Sequence, residues 1–210
     1  MSDATKGALN PYLTFWFQPR ATISALSSQS KFHWSPWIIS ALLGASGLVN
    51  SIAPLIADHM ESSRLLFVIL FGSFLGLAHL FLLSLLLKFV HTVILSGKLF
   101  TIKSGTKFPS IDGRALRLAV GWSLLPSALL CVISTLIFFF KLSQAADTAP
   151  MIFIEGGIPY AEIWAPLVLI WSLGLIVVAS SEVLKVSLWK AVLGLVLALV
   201  FLSIPIWKQT

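Results

Sequence analysis

The sequence predicts an all-α, polytopic membrane helix bundle, and three observations favour this fold class. Hydrophobic residues occupy 58% of the 210 positions and charged residues 10%, whereas soluble domains carry about 25% charged residues. The mean hydropathy is +0.96. Five long stretches contain no Asp, Glu, Lys or Arg. Soluble and disordered chains are therefore excluded, and the lone Cys131 excludes a disulfide scaffold.

Each uncharged stretch predicts a membrane span. The hydrocarbon core is roughly 30 Å thick and a helical residue rises about 1.5 Å, so a span needs about 20 mostly apolar residues. We expect five spans within one transmembrane domain over residues 32–207. Their predicted ranges are 34–56, 65–87, 118–140, 163–182 and 187–207.

The distribution of positive charge predicts which way these spans run. With a cytoplasmic N-terminus, 11 of the 14 basic residues fall in cytoplasmic segments, while Arg64, Lys141 and Lys208 fall outside. This asymmetry over short loops follows the positive-inside rule. An odd number of spans then places the C-terminus outside. Because topology accounts for the net charge of +6, we expect no nucleic-acid partner.

Residues 1–31 form a predicted cytoplasmic N-terminal segment. The aromatic-rich stretch 12–17 precedes Pro19 and Arg20, a pattern typical of chain lying at the membrane interface. A short helix is expected after Pro19, because proline is tolerated at a helix start. Two interpretations stay open: a tether that positions the first span, or a docking element that contacts a partner through Pro19 and Arg20.

The third predicted span contains Pro126 near its middle. Proline has no N–H for the carbonyl of Trp122, four residues earlier, and its ring clashes there, so a kink is expected. Ser123 or Ser127 can supply a hydrogen bond to the freed backbone group, which hydrocarbon cannot do.

His79 is the only histidine well inside a predicted span, and an intramembrane ionisable group is a functional candidate by default. The alternative is a neutral imidazole that is hydrogen-bonded to another helix. No Asp, Glu, Lys or Arg lies at mid-membrane depth in the predicted spans, which argues against ion-coupled transport.

Gly72 and Gly76 form a G-x-x-x-G pattern in the second predicted span. This spacing lets two helix backbones approach closely. The pattern can pack against a neighbouring span of the same chain, or against a second copy of the protein.

The predicted cytoplasmic loop between spans two and three is basic, with five basic residues and one acidic residue, Asp112. The five are Lys98, Lys103, Lys107, Arg114 and Arg117. Such a cluster beside a membrane attracts anionic lipid headgroups by roughly 1 kcal/mol per nearby charge. The positive-inside rule alone also places basic residues there.

The sequence shows no pattern of catalytic or metal-ligating residues. The four histidines never pair at metal-ligand spacing, and Cys131 has no partner cysteine. Arrangements for nucleophilic catalysis, for paired carboxylates or for a P-loop are likewise unsupported. We therefore expect a protein that is not an enzyme and that binds no metal or cofactor.

Three groups of short motifs resemble the Yip1-domain family of small five-span membrane proteins. They are Asn10-Pro11 with Gln18–Thr22, then Phe108 leading into Gly121–Pro126, then Trp171 and Gly174 followed by Lys190-Ala191. The resemblance implies a non-catalytic scaffold or accessory subunit for membrane partners, with a role in membrane organisation or trafficking. The short N-terminal region resembles that of bacterial members, which implies a multi-pass protein of the bacterial cytoplasmic (inner) membrane.

Two kinds of partner are expected: another membrane protein, or a second copy that makes a homo-oligomer. The alternative function is a small transporter or lipid-handling protein built around His79 and the Pro126 kink.

Overall fold

The computed structural model describes residues 11–28, 33–56, 62–95, 112–144 and 159–207, and every regular element in these ranges is helical. The elements are α1 (Pro11–Phe17), α2 (Pro19–Ser27), α3 (Ser35–Ile56), α4 (Ser62–Phe89), α5 (Gly113–Ser123), α6 (Leu125–Gln144), α7 (Pro159–Leu184) and α8 (Leu188–Trp207). A π-helical turn, Val90–Leu95, continues α4. The predicted all-α class is confirmed for the described residues.

Three helices in the described ranges are long and apolar enough to cross a membrane. The qualifying stretches are Ser35–Ile52 in α3, Arg64–Thr92 in α4 and its extension, and Trp164–Leu184 in α7. As a bent pair, α5 and α6 meet the same criterion and raise the number to four. The apolar part of α8, Leu188–Ser203, is shorter. The structure thus has three to four candidate spans, at the first four of the five predicted positions.

The third predicted span is two helices rather than one kinked helix. Helix α5 ends at Ser123, Leu124 forms a turn, and α6 begins at Leu125 with a bend of 44° between the two helices. Pro126 lies in the first turn of α6, where a missing N–H costs no intrahelical hydrogen bond. The expected change of direction is therefore present, but it takes the form of a complete break.

The two serines beside this break have partners other than the expected one. Ser123 donates its hydroxyl to the carbonyl of Ala119 at 2.8 Å, not to the carbonyl freed by the proline. Ser127 lies 2.8 Å, oxygen to oxygen, from Ser172 of α7. The second hydrogen bond joins α6 to α7 just after the chain has changed direction.

Helix α5 lies inside the bundle although it is short. It packs against α2, α3, α4 and α7, and eight of its eleven residues are buried. Its start is capped by the carboxylate of Asp112, which accepts a hydrogen bond from the N–H of Arg114 at 2.8 Å. Near its other end, Gly121 lets the start of α3 approach, since an added Cβ would lie 2.8 Å from the Cα of Pro36.

Helices α3 and α4 are antiparallel and cross at a contact between glycines. Gly72 of α4 faces Gly44 of α3 so closely that a Cβ added at Gly72 would lie 2.6 Å from the carbonyl oxygen of Gly44. Gly76, one turn further along α4, lies against the backbone of Ser40. The G-x-x-x-G pattern therefore packs within the chain, as close backbone contact requires.

The N-terminal helices α1 and α2 pack on the bundle. Phe15 is completely buried, and its ring centroid lies 5.8 Å from that of Trp122 in α5. Ile23 is buried on the face of α2 that meets α5 and α7. The Thr22 hydroxyl donates to the Thr14 hydroxyl at 3.1 Å and joins the two short helices. The hydrophobic core thus extends into the predicted N-terminal segment.

Candidate functional site

One end of the bundle gathers basic side chains from α4, from α5, from α8 and from the turn before α8. The end of α4 lies there with the starts of α5 and α8, because the π-helical extension of α4 contacts α8 and a side chain of α5 reaches α4. The basic residues of this end, called the basic end below, are Lys88, Arg114, Arg117, Lys185 and Lys190. Arg64 lies at the opposite end of α4.

A groove of about 540 Å³ opens between α4 and α5 at the basic end. Its lining residues are Ala78, Phe81, Leu82, Ser84, Leu85 and Lys88 from α4, and Gly113 and Arg117 from α5. The four apolar residues of α4 follow the i, i+3, i+4, i+7 spacing of a single helix face. The groove therefore combines a long apolar wall with two cations and the start of a helix.

Aromatic contacts hold Arg117 in place. The centre of its guanidinium lies 5.3 Å from the centroid of the Phe81 ring, a cation–π contact. The Phe81 ring meets Trp37 of α3 edge to face, with centroids 5.0 Å apart. One nitrogen of the guanidinium, Nη1, lies 3.5 Å from where a Cβ of Gly113 would stand. The charge thus lies over the first turn of α5, whose unpaired N–H groups carry partial positive charge.

Ser84 places an unsatisfied hydroxyl in the wall of the groove. It is 5% exposed, and its hydroxyl has no hydrogen-bond partner within the described part of the chain. Ser73 and Ser123, in contrast, each donate to the carbonyl four residues earlier at 2.8 Å. A buried polar group without a partner costs about 1–3 kcal/mol. A ligand in the groove reaches this hydroxyl only after a local movement, because the oxygen itself has almost no accessible surface.

The cations of the groove have no acidic partner among the described residues. Within the described residues, an ion pair joins Lys185 to Glu182 at the end of α7. The carboxylate of Asp112 is exposed and caps α5 through the N–H of Arg114. The charges of Lys88 and Arg117 are consequently not neutralised within the described part of the chain.

The predicted intramembrane candidates do not form a site. His79 follows Ala78 on α4, but its imidazole is exposed on the outer face of the bundle and does not line the groove. No hydrogen bond from it to another helix is present among the described residues. Trp122 is buried against Phe15, and Pro126 is the second residue of α6.

The predicted basic cluster is represented in part. Arg114 and Arg117 both lie on α5, and Arg117 alone of the two lines the groove. Pro19 and Arg20 begin α2, with Arg20 exposed. Three further members of the cluster lie outside the described residues. These are Lys98, Lys103 and Lys107.

Sequence reasoning missed Phe81, Ser84 and Lys88. The sequence did contain a signal for Ser84 and Lys88, because residues four apart on a helix share one face. Helix α4, however, is apolar on every side, so its sequence does not show which face meets α5.

No family model, curated protein or solved structure matches this chain. Within the described residues, no group of three or more His, Cys, Asp or Glu side chains could hold a metal ion. Fold and site together define an all-helical membrane protein with a groove that is apolar along its wall and cationic at one end.

Proposed function

We propose that the chain is a non-catalytic, five-span membrane protein of the Yip1-domain type, which acts as a scaffold or accessory subunit for partners in a bacterial cytoplasmic membrane. Its N-terminus is cytoplasmic and its C-terminus external. Helix α8, with 20 residues in total, is the fifth span. The five cations of the basic end, against Arg64 at the other end of α4, support this orientation.

The N-terminal helices carry the scaffold role. Phe15 is fully buried, whereas Phe17, two residues later, is 86% exposed. Arg20, three residues after Phe17, is also exposed. Seven residues separate the end of α2 at Ser27 from the start of α3 at Ser35, so the connecting chain spans at most about 29 Å. An aromatic ring and an arginine on a rigid support are typical contact residues of protein interfaces. A tether that served only to position α3 would need no anchor in the core.

A photocrosslinking amino acid placed at Phe17 tests this role in native membranes. We expect a discrete protein adduct from position 17, which weakens when Arg20→Ala is added and disappears when Phe15→Ala releases α1. The matched control carries the same crosslinker at Leu136, an exposed apolar residue of α6. Identical adducts from positions 17 and 136 would contradict the proposal, because α6 then offers the same surface.

Lipid handling is the second candidate function, and the groove between α4 and α5 supports it. An apolar wall that ends in two cations matches an amphiphile with an anionic head. The transporter alternative built on His79 receives no such support, since that imidazole lies outside the groove.

A further inference from the structure

We propose that the groove between α4 and α5 binds one anionic phospholipid of the cytoplasmic leaflet. The phosphate of the headgroup lies between Lys88 and Arg117 at the start of α5. One acyl chain follows the apolar wall of α4 toward Ala78. The inference rests on the proposed topology for the leaflet, but not on the scaffold role.

The size and lining of the groove fit such a ligand. Its volume of about 540 Å³ falls within the range of roughly 300–1,000 Å³ usual for small-molecule sites. The side chains of Phe81, Leu82 and Leu85 are each more than one-third exposed in the protein alone. A chain lying on them stays in contact with hydrocarbon, while the headgroup meets Arg117 beside Phe81 and Lys88 one turn beyond Leu85.

Three separate groups converge on the headgroup position. Arg117 is half-buried and oriented by Phe81, so its guanidinium loses little freedom when it binds a phosphate. Lys88, four residues after Ser84 on the same face of α4, supplies a second charge. The first turn of α5, at Gly113, adds the positive end of the helix dipole, although the N–H of Arg114 there is already bonded to the carboxylate of Asp112.

Ser84 is the independent observation that points to a ligand. Its buried hydroxyl has no partner in the described chain, and the residue lines the groove beside Leu85, one turn before Lys88. The glycerol ester oxygens of a phospholipid lie between its phosphate and its acyl chains, and a local movement at Ser84 would bring the hydroxyl to them. A hydrogen bond from Ser84 to an ester oxygen would satisfy the hydroxyl, which no hydrocarbon chain by itself can do.

Phosphatidylglycerol and phosphatidylcholine with identical acyl chains provide the test. The delipidated full-length protein in detergent is titrated with each lipid, and bound lipid is counted by native mass spectrometry. We expect one phosphatidylglycerol to bind in preference to phosphatidylcholine. Arg117→Gln should weaken that binding about tenfold or more, the usual loss for a hydrogen bond to a charged group. Lys88→Gln should act in the same direction.

The control is Arg64→Gln, which removes one cation from the same helix at its other end and should leave binding unchanged. Ala78→Trp fills the apolar wall without changing any charge, and it should weaken binding of both lipids. This variant keeps the test decisive if Arg117→Gln fails to fold. Equal affinity for the two lipids would overturn the proposal, and so would equal effects of Arg64→Gln and Arg117→Gln.

Inorganic phosphate separates a lipid site from a general anion site. We expect it not to displace bound phosphatidylglycerol, because phosphate makes no contact with the apolar wall. Displacement at millimolar phosphate would overturn the assignment to lipid. These measurements are made in detergent and do not depend on the topology of the protein. Failure of the proposed topology and failure of the lipid site are therefore separate results.

Discussion

Asn50 is the polar side chain that connects α3 to α6. Its amide nitrogen donates to the carbonyl of Cys131 at 3.2 Å, and its amide oxygen accepts from the hydroxyl of Thr135 at 3.1 Å. The single proton of the Thr135 hydroxyl is shared with two carbonyl oxygens, that of Cys131 in its own helix at 2.9 Å and that of Ser46 in α3 at 3.4 Å. In a bilayer these groups have no water as an alternative partner, so the interhelical bonds select how α3 and α6 face each other.

Asn50→Leu is therefore expected to destabilise the protein by about 1 kcal/mol, within the range measured for hydrogen bonds between membrane helices. Unfolding by SDS in mixed micelles measures the effect. Ser73→Ala is the matched control, because Ser73 is bonded only to Ile69 of its own helix in the described structure. A loss of stability in the control equal to that of Asn50→Leu would show that the interhelical bonds contribute nothing specific.

At the scale of elements, close backbone contact holds α3 and α4 together. Burial of apolar side chains contributes little to the association of two membrane helices, because lipid tails are equally apolar. Small residues favour association in another way, since they let the two backbones approach and pack along their length. Gly44, Gly72 and Gly76 supply that contact here.

Two glycines of the same helix allow this packing to be tested. Gly44→Ala places a Cβ 2.6 Å from the Cα of Gly76, so α3 and α4 must move apart. Gly47→Ala adds a Cβ that meets nothing within 4 Å. We expect a loss of stability of about 2 kcal/mol or more for Gly44→Ala. Gly47→Ala should be neutral or stabilising by up to about 1 kcal/mol, because alanine favours helix. SDS unfolding compares them, and equal stabilities would contradict the crossing.

At the scale of the whole molecule, the outer surface is apolar and suits contact with lipid hydrocarbon. Large apolar side chains are exposed along α4 and α7, Phe67, Phe74 and Ile170 among them. A soluble protein rarely exposes so continuous an apolar surface. Two exposed tryptophans lie near helix ends, Trp189 at the start of α8 and Trp164 in the second turn of α7, whereas the exposed Trp171 lies in the middle of α7. Indole rings prefer the two interfaces of a bilayer, so the first two positions agree with helices that cross it.

Cysteine labelling tests the five-span topology. In a Cys131→Ser background, Ser187→Cys in the turn between α7 and α8 should react with an impermeant maleimide only after the membrane is permeabilised. Ser62→Cys at the start of α4 and Thr210→Cys should react in intact cells. If Thr210→Cys instead behaves like Ser187→Cys, α8 does not cross and the number of spans is four. Reaction of Ser187→Cys in intact cells would reverse the orientation.

The all-α class and the positions of the candidate spans were predictable from the sequence, because hydropathy and charge are read along the chain without reference to neighbours. The change of direction near Pro126 was predictable for the same reason, since proline acts on its own backbone. Gly72 and Gly76 were identifiable by their spacing, but the partner they pack against was not.

Which helix faces meet was decided by the tertiary structure alone. Helices such as α4 and α7 are apolar on every side, so no amphipathic pattern distinguishes an inner face from one that lipid covers. The groove, the placement of Phe81 between Trp37 and Arg117, and the unpaired hydroxyl of Ser84 all arise where such faces meet. In a membrane the hydrophobic effect selects the helices that enter, while packing and hydrogen bonds select how they are arranged.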